Sequence, residues 1–419
     1  MGTQFRLALF VLVIALLGYQ LMPHVPDELE EKWKYRAMMA FMNGIGIYGQ
    51  YMHSSAGGDD PSVRTIEGVK AAFRWTSEDA VMDHLGPGVT RLEGTFNGTK
   101  VYIYQPPAMS TEGLVPGFIY FHGGGLALGS AKLYDGMARK ISSRLNAVVI
   151  NVDYDTTPKN KFPGPLNQCY AATKWLLLHA RDYGVDFRRV AVGGDSAGGY
   201  LSAAVSQLIY DDEMVPNLKL QVLIYPWTQC FDFYFPSYQE YTKTFEIGKG
   251  FVCRESMVMY CTLHAWGTAR PDLVQMLMEN RHIGPSFKKS TLYQETLGHD
   301  LLPAAYRVSS SYQGPTPSDQ GDEEFWQKIK TIFLDPRFTP HFRHNMTGLP
   351  TAYVVTAGFD SLRDEGNIYA QQLKKAGVDV TLVHYEKAWH GSHWSAPYFI
   401  FAIGEQIHDD FLEFAKERL

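Results

Sequence analysis

The sequence predicts an α/β protein: a mainly parallel sheet with helices on both faces. Short apolar, β-branched runs recur at 117–121, 147–152, 189–194, 220–226, 351–358 and 380–385, and helical stretches such as GPLNQCYAATKWLLLHARDYG and RDEGNIYAQQLKKAGV lie between most of them. Alternation of this kind requires crossover connections, which make the strands parallel and lay helices over the sheet. Glycine-rich segments also follow two of the runs, at 122–125 and 193–199, and open α/β sheets bind ligands at the carboxyl ends of their strands. The chain has 419 residues, 45% of them hydrophobic, enough for a sizeable core. Its formal net charge is −6, with no long basic run, which argues against nucleic acid as a partner.

Taken in chain order, residues 1–22 set the compartment. Their uninterrupted apolar run, Leu7 to Leu17, is short for a membrane span and long enough for a signal-peptide core. The residues after it, GYQLMP, make a poor small-x-small cleavage site, and Asp27, Glu28, Glu30 and Glu31 come before the first lysine on that flank, Lys32. The reading is an uncleaved signal-anchor with Arg6 at the cytosolic face. The expectation is a single-pass type II protein of the endoplasmic reticulum membrane with its body in the lumen. Sequons at Asn97 and Asn345 agree with a glycosylated, lumenal body. Residues 23–86 read as helical in parts, beginning DELEEKWKYRAMMAF. FNGTK, between VTRLEGT and VYIYQ, reads as a hairpin with an Asn-Gly turn, which puts Asn97 at an exposed tip. The alternating core then occupies 87–227 and resumes at 349–419. Between them, 228–348 offers no convincing core strand and is too long for a plain loop. It reads as an inserted helical cap over the sheet's active edge. The four cysteines, Cys169, Cys230, Cys253 and Cys261, permit three pairings; buried free thiols are expected, because a core of this size needs no staples.

The chemistry-bearing residues stand at the ends of these runs. Gly194-Asp195-Ser196-Ala197-Gly198 fits G-x-S-x-G, with a strand before it and a helix, AGGYLSAAVSQLIY, after it. That context is the one a nucleophile elbow requires. Side chains at Gly194 and Gly198 would collide with neighbouring backbone, and the helix amino terminus favours negative charge beside Ser196. His122-Gly123-Gly124-Gly125 directly follows the 117–121 run. Acyl transfer builds charge on a carbonyl oxygen, and the amides of Gly124 and Gly125, with that of Ala197, are the expected oxyanion donors. His122 reads as a residue that orders this loop. The spacing fits neither a dinucleotide fingerprint nor a phosphate-binding P-loop.

In a serine hydrolase of this strand order the orienting acid precedes the histidine. Asp360 lies just past the 351–358 run, whereas Asp364 falls on the start of the next helix and reads as its cap. His390 is in the loop after the 380–385 run; His393 is the nearby alternative, and His384 lies within the run as a packing residue. The reading is a triad of Ser196, His390 and Asp360. No His/Cys cluster has ligand spacing, so no metal and no organic cofactor is expected.

Together, FHGGG, FPGPLNQC, GGDSAGG, IYPW, PSY, TAGFDSLRDEG and WHG, with the amino-terminal anchor, make the chain resemble the hormone-sensitive-lipase family of α/β-hydrolases. The membrane-anchored branch containing arylacetamide deacetylase and neutral cholesterol ester hydrolase is the most similar. The resemblance implies the α/β-hydrolase fold, with a cap built partly from 23–86 and partly from 228–348. It also implies carboxylesters or arylamides, small and apolar, as substrates. The alternative is a catalytically silent receptor on the same fold binding a small apolar ligand. Such receptors tend to break the triad at its histidine, and here all three members are present. The aromatic segment Phe231 to Phe251 is expected mostly to pack the cap's own core. Phe233 and Phe235 are expected to help set a preference for butyryl or longer acyl chains over acetyl.

Overall fold

The structure, a computed structural model, describes residues 25–40, 70, 83–107, 113–244, 252–394 and 400–419. The apolar run at 7–17 and most of the segment 41–82 lie outside the described residues. Residues 32–40 are helical. β1 (Thr90–Phe96) and β2 (Thr99–Gln105) pair antiparallel across Asn97 and Gly98, which have φ of 45° and 85°. Positive φ at both central residues is the geometry of a tight two-residue hairpin, and Asn-Gly is the pair that adopts it at least cost.

The remaining strands are β3 (Val115–Phe121), β4 (Val148–Asp153), β5 (Val185–Asp195), β6 (Leu220–Ile224), β7 (Thr351–Phe359) and β8 (Val380–Trp389). They form one sheet of order β1-β2-β4-β3-β5-β6-β7-β8, parallel from β4 to β8. Every residue of β3 is buried, which explains the continuous apolar runs: a central parallel strand is covered on both sides. Alternate residues enter different cores. Ile119 and Phe121 join the core beneath α2 (Gly164–Leu178) and α3 (Ala197–Asp211). Phe118 and Tyr120 join the opposite one, with Met137, Ala138 and Ile141 of α1 (Asp135–Leu145).

Between β6 and β7 the chain forms α4 (Pro236–Thr244), α5 (Arg254–Trp266), α6 (Pro271–Met278), α7 (Pro285–Lys288), α8 (Thr291–Leu297) and α9 (Glu323–Phe333), and no strand among the described residues. α9 shows why these segments are helical. Asp322 caps it by accepting a hydrogen bond from the Phe325 amide at 2.9 Å, and Trp326, Ile329 and Phe333 recur on one face and are buried. The rings of Trp326 and Phe333, with those of Phe287 and Phe342, surround Phe231 at centroid distances of 4.8–6.0 Å. α10 (Arg363–Lys375) and α11 (Ala402–Lys416) follow β7 and β8.

The expectation of four free thiols holds for two of them. Cys169 and Cys253 are unpaired and buried, and burial pushes both thiols up. Cys230 and Cys261 instead form a disulfide, their Cα atoms 6.0 Å apart. Core size does argue that the sheet needs no staple. The bridge lies elsewhere, tying the first residues after β6 to α5.

Candidate active site

β5 ends at Asp195 and α3 begins at Ala197, leaving Ser196 alone in the turn with φ 56° and ψ −118°. A non-glycine residue in such a conformation costs on the order of 1–3 kcal/mol and persists only when its surroundings hold it. Here the Ser196 amide donates to the Ile224 carbonyl at 2.9 Å, and the Ser196 carbonyl accepts from the Trp227 amide at 3.0 Å. A Cβ on Gly194 or on Gly198 would overlap the carbonyl oxygen of Phe121 at the end of β3. The flanking glycines are therefore demanded by the close approach of that strand.

The loop after β3 turns through Gly124 and Gly125, with φ of 109° and 62°. It is closed by the amides of Ala127 and Leu128, which donate to the Gly124 carbonyl at 3.0 and 2.7 Å. His122 is fully buried, its Nδ1 2.8 Å from the Gly123 carbonyl, and its ring is stacked on Tyr154 at 4.2 Å. The Tyr154 hydroxyl donates to the His122 carbonyl at 2.7 Å, and the Thr157 hydroxyl donates to that of Leu126 at 3.1 Å. Burial lowers the pKa of the His122 ring; this histidine lies within the loop's internal bonding. The amides of Gly124, Gly125 and Ala197 have no protein acceptor among the described residues.

Asp360, the first residue after β7, is buried, and its Oδ2 lies 2.9 Å from His390 Nδ1. Its Oδ1 accepts from the Leu362 amide at 2.8 Å, which fixes the carboxylate plane. His390 follows β8 directly, and its ring packs on Tyr225 at 4.6 Å. Ser196, His390 and Gly123 to Gly125 line one cavity.

The neighbouring candidates have other partners. Asp364 does not cap α10: its carboxylate accepts from the Ser237 amide at 2.7 Å and from Arg363 Nε at 2.8 Å, so it holds the start of α4. His393 is buried, bonded to the Tyr225 hydroxyl and 3.3 Å from that of Tyr120. Burial drives its pKa far down. His384 is an exposed residue of the edge strand, 3.0 Å from the Thr356 hydroxyl, and does not pack the interior.

Phe233 and Phe235 do not line the cavity. Both are fully buried inside the insertion, Phe233 against Tyr238 and His282 and Phe235 against His299. Phe245 and Phe251 lie outside the described residues. The apolar wall comes from Leu128, Leu133, Tyr134, Val252, Trp394, and Met257 and Tyr260 of α5. None of these was singled out by sequence. One turn of helix separates Met257 from Tyr260, a spacing that aims two side chains at one place, but the same spacing fits any buried helix. The elbow motif leaves the position of Asp195 open, so its sequence context assigns it no role. It accepts hydrogen bonds from the Tyr120 and Tyr134 hydroxyls at 2.9 and 3.0 Å and from the Gly123 amide at 3.0 Å. Burial pushes its carboxyl up, and the two tyrosine donors pull it back down.

The chain is also similar to known proteins over most of its length. The family model of the alpha/beta hydrolase fold matches residues 118–287 and 299–394. Arylacetamide deacetylase of Oryctolagus cuniculus is 33% identical over 98% of both chains. Neutral cholesterol ester hydrolase 1 of Rattus norvegicus is 30% identical, again over 98% of both. Among solved structures, an esterase from Rhizomucor miehei superposes with a TM-score of 0.63 at 25% identity, covering 88% of this chain and 95% of its own. The chain thus belongs to the α/β-hydrolase fold family, in the branch of arylacetamide deacetylase and neutral cholesterol ester hydrolase, and is a carboxylic ester hydrolase.

Proposed function

We propose that the chain cleaves small apolar carboxylesters, lipid esters or aryl esters and amides, through an acyl-enzyme on Ser196. The carrying observation is the 2.9 Å bond from His390 to Asp360, with His390 on the cavity that Ser196 lines. His390 takes the Ser196 hydroxyl proton as Oγ attacks the carbonyl carbon, then gives it to the departing alcohol or amine. Asp360 holds the imidazole by Nδ1, leaving Nε2 for the reaction, and stabilises the imidazolium. Charge on the carbonyl oxygen is met by the amides of Gly124, Gly125 and Ala197 and by the amino terminus of α3. Water activated by His390 then releases the acid. The named relatives, a deacetylase and a cholesterol ester hydrolase, support an apolar ester or arylamide as substrate.

The run at 7–17 would anchor this body to the endoplasmic reticulum membrane from the lumenal side. Among the described residues no helix is long and apolar enough to cross a membrane, and the run is outside them. The exposed sequon asparagines Asn97 and Asn345 and the Cys230–Cys261 bridge support an oxidising, glycosylating compartment. The test of the nucleophile is Ser196→Ala. It should abolish fluorophosphonate labelling and ester cleavage in a protein that still melts cooperatively; continued labelling at another serine with activity retained would sink the assignment.

A further inference from the structure

The helix at 32–40 has two faces with different surroundings. Tyr35, Met38 and Met39 are buried, and with Val252, Trp389 and His390 they line a second cavity. Trp33 stands roughly 120° or more around the helix from these three, and it is 71% exposed. The other described tryptophans are buried or half-buried. Ile400, also exposed, lies beside it: Lys34 Nζ donates to the Ile400 carbonyl at 3.0 Å and stands 6.0 Å from the centre of the Trp33 ring. The helix is docked on the body. Glu31 accepts from the Ala402 amide at 2.7 Å, and Tyr35 meets Trp389 edge-on at 5.1 Å. An indole held out from a docked helix presents an apolar plate with one N–H, the form that settles at the headgroup level of a bilayer. Charge and chain length both bear on what covers it. Lys32 pairs with Asp27 at 2.7 Å, Lys34 with Glu31, and Lys387 with Glu30 at 3.3 Å. Cations already matched to carboxylates have little attraction left for anionic headgroups, so a zwitterionic surface fits. Val25 is buried in the same core as Tyr35, Met38 and Met39, and the apolar run read as the anchor ends at Leu17, eight residues earlier. That length of chain reaches at most about 29 Å, so an anchored body keeps this corner close to the bilayer.

We infer that Trp33 and Ile400 form a second, peripheral contact between the catalytic body and a zwitterionic bilayer surface. The contact sets the helix at 32–40, a wall of the cavity beside His390, against the lipid. The inference rests on the reading of the 7–17 run as an anchor, and it goes beyond that reading by giving the body its own lipid-facing side. Its consequence is specific to where the substrate is dissolved. Esters held in the bilayer depend on the contact, and esters dissolved in water do not.

The test uses the full chain in phosphatidylcholine vesicles, with lipid brominated near the headgroup end of its acyl chains as the quencher. The brominated lipid should quench part of the tryptophan emission. Trp33→Phe should remove that part, because phenylalanine keeps the contact and loses the reporter. High salt should leave the quenching unchanged, since no unmatched charge makes the contact. Trp33→Glu should slow cleavage of p-nitrophenyl palmitate held in the vesicles by roughly 3- to 10-fold, the worth of burying part of one ring. Cleavage of p-nitrophenyl acetate in free solution should stay within about twofold of the parent, because the substitution is on the surface and away from the cavities. Quenching that is the same in the parent and in Trp33→Phe overturns the proposal. So does a Trp33→Glu enzyme that slows on both esters alike or on neither. Quenching lost at high salt assigns the contact to charge and overturns the zwitterionic surface. Absent quenching with an oligomer that Trp33→Glu dissociates assigns the patch to a second copy of the chain and overturns it equally. If Trp33→Glu does not fold, Ile400→Glu takes its place with the same readouts. Alkaline carbonate separates this contact from the anchor. A protein stripped by carbonate, yet quenched at Trp33 before stripping, counts against the anchor alone. A protein retained on the membrane with Trp33 unquenched counts against the peripheral contact alone.

Discussion

Asp360 and Asp364 are four residues apart, and their surroundings give them different work. Asp360 faces His390 and Asp364 faces the Ser237 amide and the buried Arg363 guanidinium. Asp360→Asn should therefore cut kcat by about 10²- to 10⁴-fold, since an amide no longer fixes the imidazole tautomer or stabilises its cation, with little change in melting. Asp364→Asn should do the reverse: activity within a few-fold, but stability lower by about 3 kcal/mol, because a buried cation loses part of its compensation. Parallel kinetics and thermal melts on the two variants check this. Equal kinetic losses would remove the distinction. If the proposed triad holds, His390→Ala should be about as damaging as Ser196→Ala, because triad members act as a unit.

At the scale of elements, α5 is the functional wall of the insertion. It presents Met257 and Tyr260 to the cavity, and Cys261 on the same helix is tied to Cys230. Each acyl CH₂ that enters such a wall contributes roughly 0.8 kcal/mol, so kcat/KM should rise from acetyl to butyryl p-nitrophenyl esters. Met257→Trp should erase that rise by filling the space, whereas Phe233→Ala should leave it intact and cost about 3–5 kcal/mol of stability. A declining series from acetate onward would instead indicate a small-acyl specificity. The insertion also carries a pH dependence. Burial lowers His264 to about 3 and His282 and His341 to about 4. Each stays neutral in the fold while the unfolded chain takes up a proton below about 6.5. Their contribution is thus complete above pH 6.5 and is lost as pH falls toward 4, with a slope of up to about 1.4 kcal/mol per pH unit for each. His264 stacks on Phe338 at 4.8 Å, so His264→Phe should keep the packing and flatten part of that slope in melts recorded from pH 6.5 to 4. An unchanged slope would count against burial of this ring as its source.

At the scale of the molecule, the asparagines of the two sequons are exposed, Asn97 at the hairpin tip and Asn345 in the connection before β7. For a lumenal, anchored body, endoglycosidase should remove two glycans. Asn97→Gln and Asn345→Gln should remove one each, and alkaline carbonate should leave the protein with membranes. A soluble, unglycosylated product from secretory-pathway cells would contradict this topology. The sheet places every chemistry-bearing segment at one edge: the loop after β3, the elbow after β5, Asp360 after β7 and His390 after β8. That is where open parallel sheets bind ligands, and the insertion brings α5 over the same edge.

Local pattern alone determined the strand runs, the Asn-Gly hairpin, the glycine-flanked Ser196 and the segments that hold His122, Asp360 and His390. Those features depend on a turn, a short apolar run or the end of a strand, all written within a few neighbouring residues. Tertiary structure decided what depends on residues far apart in the chain: the Cys230–Cys261 bridge, the grip of Asp364 on α4, and the meeting of Asp195 with the Gly123 amide. It also decided that Met257 and Tyr260 face the cavity while Phe233 and Phe235 face the insertion's interior. The physical reason is that the insertion is crowded with rings and buried on several sides, so apolar spacing says that a residue is covered without saying by what. Only the packing of one element on another tells a wall of the site from a part of the core.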